Sequence, residues 1–297
     1  MLSLLYDQPL ALTWGVVEAI RTADEATLRA MAARARPDSL EGAEGGVIAV
    51  LPVYGPISQR PDMFTAFFGG TSLAGLTARF RAAMADPAIK AIVFEHDSPG
   101  GTAYGVPELA REIREARGSK PIVSMVNSLS ASADYWLAAQ ADKVVATPSG
   151  AVGSVGVYLI HVNEGPAAEK AGVQISVVTA GGMKGDATGL EALTEEGRAA
   201  MQARVDHVYG MFVADLAKGR GVSPETVRSS FGRGAIVTPP AAKEAGMIDR
   251  IDTLDGVLRT LSSPAGRRSM MKAAEGAELA YDGEAERRLR SMKVRGA

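Results

Sequence analysis

The 297-residue chain is 46% apolar and 22% charged, with a formal charge of −2 at pH 7, the profile of an ordinary soluble globular protein large enough for a substantial core. Near-neutral charge gives no broad basic field for a nucleic-acid partner, and the lack of cysteine removes disulfides, thiolate zinc sites and a cysteine nucleophile together. The three histidines, His96, His161 and His207, have no metal-ligand spacing, and no metal or organic cofactor is implied.

The chain opens with MLSLLYDQPLALTWGVVEAI. No basic segment leads it, and Asp7 and Pro9 break its apolar run, so it does not read as a cleavable signal peptide. No apolar stretch reaches the roughly 20 residues a membrane-spanning helix needs; no membrane anchor and a cytoplasmic location are expected. Leu10, Trp14, Val17 and Ile20 recur at helical spacing and predict a helical extension over residues 1–45, closed by the polar stretch PDSLEGAEGG. Residues 46–262 alternate β-branched runs with amphipathic stretches. The predicted strands are VIAVLPV, AIVFEH, PIVSMV, KVVAT, VGVYLI and ISVVT; the predicted helices cover 74–85, 104–117, 132–141, 164–171, 194–219 and 239–245. Such alternation implies βαβ units and a largely parallel sheet. Residues 263–297 are rich in Arg, Glu and Ala with few large apolar side chains, and predict a charged, flexible tail or a lone helix.

Four segments can carry chemistry. Asp97-Ser98-Pro99-Gly100-Gly101 follows a predicted strand and opens a turn whose backbone N–H groups can face a developing oxyanion. Ser128–Trp136, SLSASADYW, lies between a strand and a helix, where a serine sits beside free helix N–H groups. Gly153-Ser154-Val155-Gly156-Val157 is a turn into a predicted strand, and Thr179–Asp186 holds Lys184 in a Gly-rich loop. Taken singly, these read first as a strand-to-helix turn, a helix N-cap, a strand lead-in and a solvated lysine.

Their order is more specific than any one of them. DSPGG, SASADYW, AQADKVVATP, GSVGV, then GGMKGD followed by LTEEGR, resemble the successive motifs of the signal peptide peptidase A (SppA)-like family of serine peptidases over residues 46–262. The resemblance implies an α/β fold of the ClpP/crotonase type with repeated β-β-α units, and a Ser-Lys dyad. Ser132 aligns with the nucleophile, Lys184 with the general base, and Ser154 with the serine that orients the lysine. The backbone N–H groups of Gly101 or Gly100 and of Ala133 would form the oxyanion hole. The family often has Gly-Gly after the nucleophile where this chain has Ala133-Asp134, which keeps an N–H and brings a carboxylate near the site. A lysine has a reference pKa near ~10.4, so a base at neutral pH must be desolvated, by substrate or a neighbouring protomer.

Absence of an anchor, the single-repeat layout, EHDSPGG, the AGGMK loop and the helix beginning EEGRAAMQ resemble the branch of phage capsid-maturation (prohead) proteases similar to lambda protein C. That branch implies scaffold, portal or capsid proteins as substrates within assembling proheads, and a ring-like homo-oligomer. An extended peptide would pair with strand edges near VYGPIS and GSVGVY. Three alternatives stay open: a cytoplasmic SppA-like housekeeping peptidase, a crotonase-type acyl-thioester enzyme, and an inactive assembly subunit. His161, 29 positions after Ser132, is the rival base of a ClpP-like triad; Lys184 is preferred because its motif matches and VYLIHVNEG does not.

Overall fold

The computed structural model describes residues 10–11, 39–61 and 69–271, with only the backbone of Leu10–Ala11. The run GVIAVLPVY is apolar without alternation because it lies inside a sheet covered on both faces. It forms β3 (Gly46–Tyr54), after β1 (Leu10–Ala11) and β2 (Ser39–Ala43). Then come β4 (Ile57–Ser58), β5 (Thr71–Ser72), helix α1 (Leu73–Ala85), β6 (Ile89–Ser98), β7 (Gly101–Thr102) and α2 (Val106–Glu115). They are followed by β8 (Ile122–Ala131), α3 (Ala133–Ala138), β9 (Lys143–Ala146), β10 (Ala151–Gly153) and α4 (Gly165–Lys170). The remaining elements are α5 (Glu195–Arg220), α6 (Pro224–Ser230), β11 (Ile236–Val237), α7 (Pro239–Glu244), β12 (Arg250–Ile251), α8 (Leu254–Leu261) and α9 (Pro264–Met271).

The main sheet runs β11-β10-β8-β6-β3-β2, with β3, β6, β8 and β10 parallel and β2 and β11 antiparallel at its edges. Ten-residue β8 forks: Val123–Val126 pair with β9, and Leu129–Ala131 pair with β10. A smaller sheet, β1-β7-β4-β5, collects the short second strands. The order β6-β7-α2 is the expected β-β-α unit, and β3-β4-β5-α1 is the same unit with an additional short strand.

Side chains of successive strand residues point to opposite faces. Ala49, Leu51 and Val53 face a core with Leu76, Phe80, Trp136 and Phe212; Ile48, Val50, Val93 and Met125 face a second core closed by Val257, Leu261 and Met270. Trp136 stacks on Phe212 at 4.4 Å between ring centroids, and its indole N–H donates to Asp215 at 2.9 Å, so the largest buried side chain has its polar atom satisfied.

Each predicted helix within 46–262 forms, with ends shifted by at most three residues. Two predicted strands do not. VGVYLI and ISVVT lack regular strand structure. The reason for the first is visible: Ser154 takes a positive φ of 53° and donates its N–H to Ala235 O, turning the chain off β10, whose free edge β11 occupies. ISVVT finds no neighbouring strand, and a β-branched run without a partner has nothing to satisfy its backbone. The helix expected from Leu10 to Ile20 lies mostly outside the described residues, but Leu10–Ala11 form a strand there. Ser39–Ala43, also within the expected extension, form a strand beside β3, and α9 packs Met270 into the core at the start of the expected tail. The remainder of that tail lies outside the described residues. Among the described residues no helix is long and apolar enough to cross a membrane.

Candidate active site

The parallel strands β3, β6, β8 and β10 end on one side of the sheet, the side where α/β sheets bind ligands. Three turns meet there. After β6 the chain passes through Ser98-Pro99-Gly100-Gly101. Ser98 Oγ donates to Gly55 O at 2.6 Å and accepts the Gly100 N–H at 3.2 Å, while Gly100 O accepts the Ile57 N–H. Gly100 has φ 94°, and a Cβ on Gly101 would lie 2.0 Å from Ile57 O, so neither place admits a side chain without moving the backbone.

After β8 comes Ser132, the N-cap residue of α3. Its φ of 56° and ψ of −121° suit the first central residue of a type II′ turn, where glycine is usual. For serine this geometry costs on the order of 1–3 kcal/mol and persists only where its surroundings enforce it. The Ser132 N–H donates to Gly153 O at 2.7 Å, and Ser132 O accepts the Trp136 N–H at 2.9 Å. The side chain is 1% exposed, and its hydroxyl has only a 3.5 Å contact with Gly156 O. Ala133 begins the helix, and its N–H meets no acceptor among the described residues.

Ser98 and Ser130 are register partners across β6 and β8, which puts the Gly100–Gly101 turn beside the serine turn. Ser154 joins the group through its neighbour, because Gly153 O accepts from Ser132. Ser132, Ala133, Gly100, Gly101 and Ser154 thus converge on one end of the sheet.

Lys184 is not bonded to this group. It is exposed in a segment without regular structure, its N–H donates to Gly181 O, and no hydrogen bond or ion pair engages its ammonium among the described residues. Neither Ser132 nor Ser154 bonds to it. His161 lines a cavity of about 170 Å³ with Ile160, Glu164, Met201 and Arg204, and its Nε2 is buried without a partner among the described residues.

The carboxylate that the Ala133-Asp134 departure brings near the site has a partner that the motifs did not assign. His96 Nδ1 lies 2.7 Å from Asp134 Oδ1, and His96 Nε2 lies 3.1 Å from Ser124 Oγ, all of it buried. The hint in the sequence is a histidine near the end of a strand, between Glu95 and Asp97, and an aspartate inside a small-residue helix start.

The model of peptidase family S49 matches residues 114–267, a span that includes Ser132, Ser154 and Lys184. The chain is 32% identical over 204 residues to capsid assembly protease C of Escherichia phage lambda, covering 69% of this chain and 46% of that protein. Head-tail preconnector protein GP5 of Enterobacteria phage P21 is 33% identical over 204 residues, covering 69% and 40%. Protease 4 of Salmonella typhi is 29% identical over 212 residues, covering 71% and 33%. The chain spans under half the length of each of these relatives. The solved structure of a membrane-bound stomatin-specific protease superposes with a TM-score of 0.49 at 16% identity, over 72% of this chain and 84% of that one. The match over more than half of its length establishes that the chain belongs to peptidase family S49 and carries an α/β serine-peptidase domain of that family.

Proposed function

We propose that the chain is a serine endopeptidase in which Ser132 is the nucleophile. The observation that carries this reading is the strained backbone of Ser132 at the β8–α3 junction, beside a glycine turn with which it can share an oxyanion. Ser132 Oγ attacks the scissile carbonyl carbon, and the oxyanion is met by the Ala133 N–H and by that of Gly101. Gly100 is the weaker candidate because its N–H is already engaged by Ser98 Oγ. Lys184 takes the proton from Ser132 and returns it to the leaving amine, and water then releases the acyl group from Ser132. Ser154 orients Lys184.

This chemistry requires the loop bearing Lys184 to close on Ser132, within one chain or from a neighbouring copy in a ring. The stretch leading to it supports a covered state: Val173, Ile175, Val177 and Met183 are exposed, and Val178 is 97% exposed. A run of apolar side chains in water is an unfilled contact. The substrate class we propose is a protein of an assembling phage head, because both phage relatives are named for capsid assembly or head–tail connection. The test is cleavage of a purified scaffold protein, or of an unfolded protein, by the wild type and by Ser132→Ala, Lys184→Ala and His161→Ala. Loss with the first two and activity in the third supports the dyad. Loss only with Ser132→Ala and His161→Ala replaces it with a histidine base.

A further inference from the structure

Asp134, His96 and Ser124 stand in the order of a hydrolase triad: carboxylate, imidazole, hydroxyl. Burial excludes that use. Ser124 and Asp134 are fully buried and His96 is 1% exposed; Ser124 lies inside β8 with Phe94 and Val144 as register partners on either side. No acyl group can reach its hydroxyl.

What the connection joins is informative. His96 lies two residues before Ser98, near the end of β6, where the chain enters the Gly100–Gly101 turn. Asp134 lies two residues after Ser132, in the first turn of α3. Between these points the β6–β8 ladder slips: His96 pairs with Val126 but Ser98 pairs with Ser130, so β8 holds two extra residues there. The backbone bonds of Ser132 run to Gly153 and Trp136, and neither crosses to β6. The imidazole–carboxylate bond bridges β6 and α3 where the ladder is interrupted.

Stability of the core does not call for this pair. Asp134 Oδ2 is buried without a hydrogen bond, and Ser130 Oγ nearby, also buried, completes none. Burial pushes the Asp134 carboxyl above the usual carboxylate range, against the pull of His96, and Asp97 adds to the push. Apolar residues of similar size often serve a core as well as a buried charged pair or better. The distinctive contribution of the pair is therefore geometric.

We propose that His96 and Asp134 are positioning residues that clamp the Ser132 turn to the Gly100–Gly101 turn, fixing the nucleophile relative to its oxyanion donors. The proposal rests on the reading of Ser132 as nucleophile for its catalytic consequence, while the clamp itself is a property of the fold. The test uses the full chain, the double variant His96→Phe/Asp134→Ala and the volume-conserving Asp134→Asn. Three quantities are read: melting temperature, hydrogen–deuterium exchange of residues 98–101 and 130–134 against β3, and the rate at which a fluorophosphonate labels Ser132.

The expected result is a double variant that melts at or above the wild-type temperature. Exchange rises together at both turns and not in β3, and labelling slows roughly tenfold to a hundredfold, the cost of a small misplacement of reacting groups. Asp134→Asn should move the same quantities in the same direction by less, and decides the matter if the double variant does not fold. Unchanged exchange at both turns in a folded variant overturns the clamp. If the wild type is not labelled at Ser132, the peptidase reading fails, and the exchange comparison still decides whether the two turns are clamped.

Discussion

Around Ser132 every neighbouring element is packed and bonded: β8 enters from the centre of the sheet, α3 is fully buried, and Gly153 and Trp136 hold the strained backbone from both sides. Around Lys184 the chain has no helix or strand, its apolar side chains face water, and its charge has no bonded partner among the described residues. Both segments belong to one family motif series. In the proposed mechanism this difference means that the core of one chain holds Ser132 and the proposed oxyanion donors in place, whereas Lys184 would need a cover that the core does not supply.

Substitutions should divide along the same line. Ser132→Ala should lower cleavage by roughly 10⁴-fold or more, as removal of a nucleophile does in related mechanisms. Lys184→Ala should lower it by roughly 10²–10⁴-fold, the contribution of a general base, and leave the melting temperature unchanged because the side chain supports nothing in the core. Peptidase assays paired with thermal melts check both. A large fall in stability with Lys184→Ala would break the comparison.

On the packed side, Trp136→Ala should cost about 3–5 kcal/mol in denaturant titrations, from lost stacking on Phe212 and a cavity under the serine turn. The next effect lies at the far end of β8. Asp142 accepts the Ile122 N–H at 2.8 Å, its other oxygen is buried without a partner, and burial pushes its carboxyl up to about 6. A raised carboxyl pKa means the fold holds the proton more tightly than the unfolded chain does. Its stabilising contribution is complete below about pH 4 and is lost as pH rises through about 6. The loss amounts to as much as about 3 kcal/mol. Asp142→Asn should therefore gain on the wild type in melting temperature between pH 4 and pH 7; a gap that does not widen contradicts the assignment. Smallest in its effect on stability is Ser132→Gly, which should remove cleavage as Ser132→Ala does yet stabilise by about 1 kcal/mol, since glycine adopts positive φ freely.

The sequence made β3, β6, β8 and β9 legible because strands buried on both faces must be continuously apolar. It made the turns legible because Pro99, Gly100 and Gly101 admit little else. It hid β2, whose SLEGA is mostly polar and exposed and is held at the edge mainly by backbone pairing. It misled at VGVYLI and ISVVT, where β-propensity is present but no partner strand is. The strain at Ser132 was invisible because Ala131-Ser132-Ala133 contains no glycine to mark it. The His96–Asp134 contact joins residues 38 apart that share no motif, so only the fold reveals it.

The most direct test of the account is to treat the full chain with a fluorophosphonate and locate the modified residue by mass spectrometry, in the wild type and in Lys184→Ala and His161→Ala. The account predicts a single label on Ser132 that slows sharply without Lys184 and persists without His161. Labelling of another serine, or none in the wild type, would contradict it.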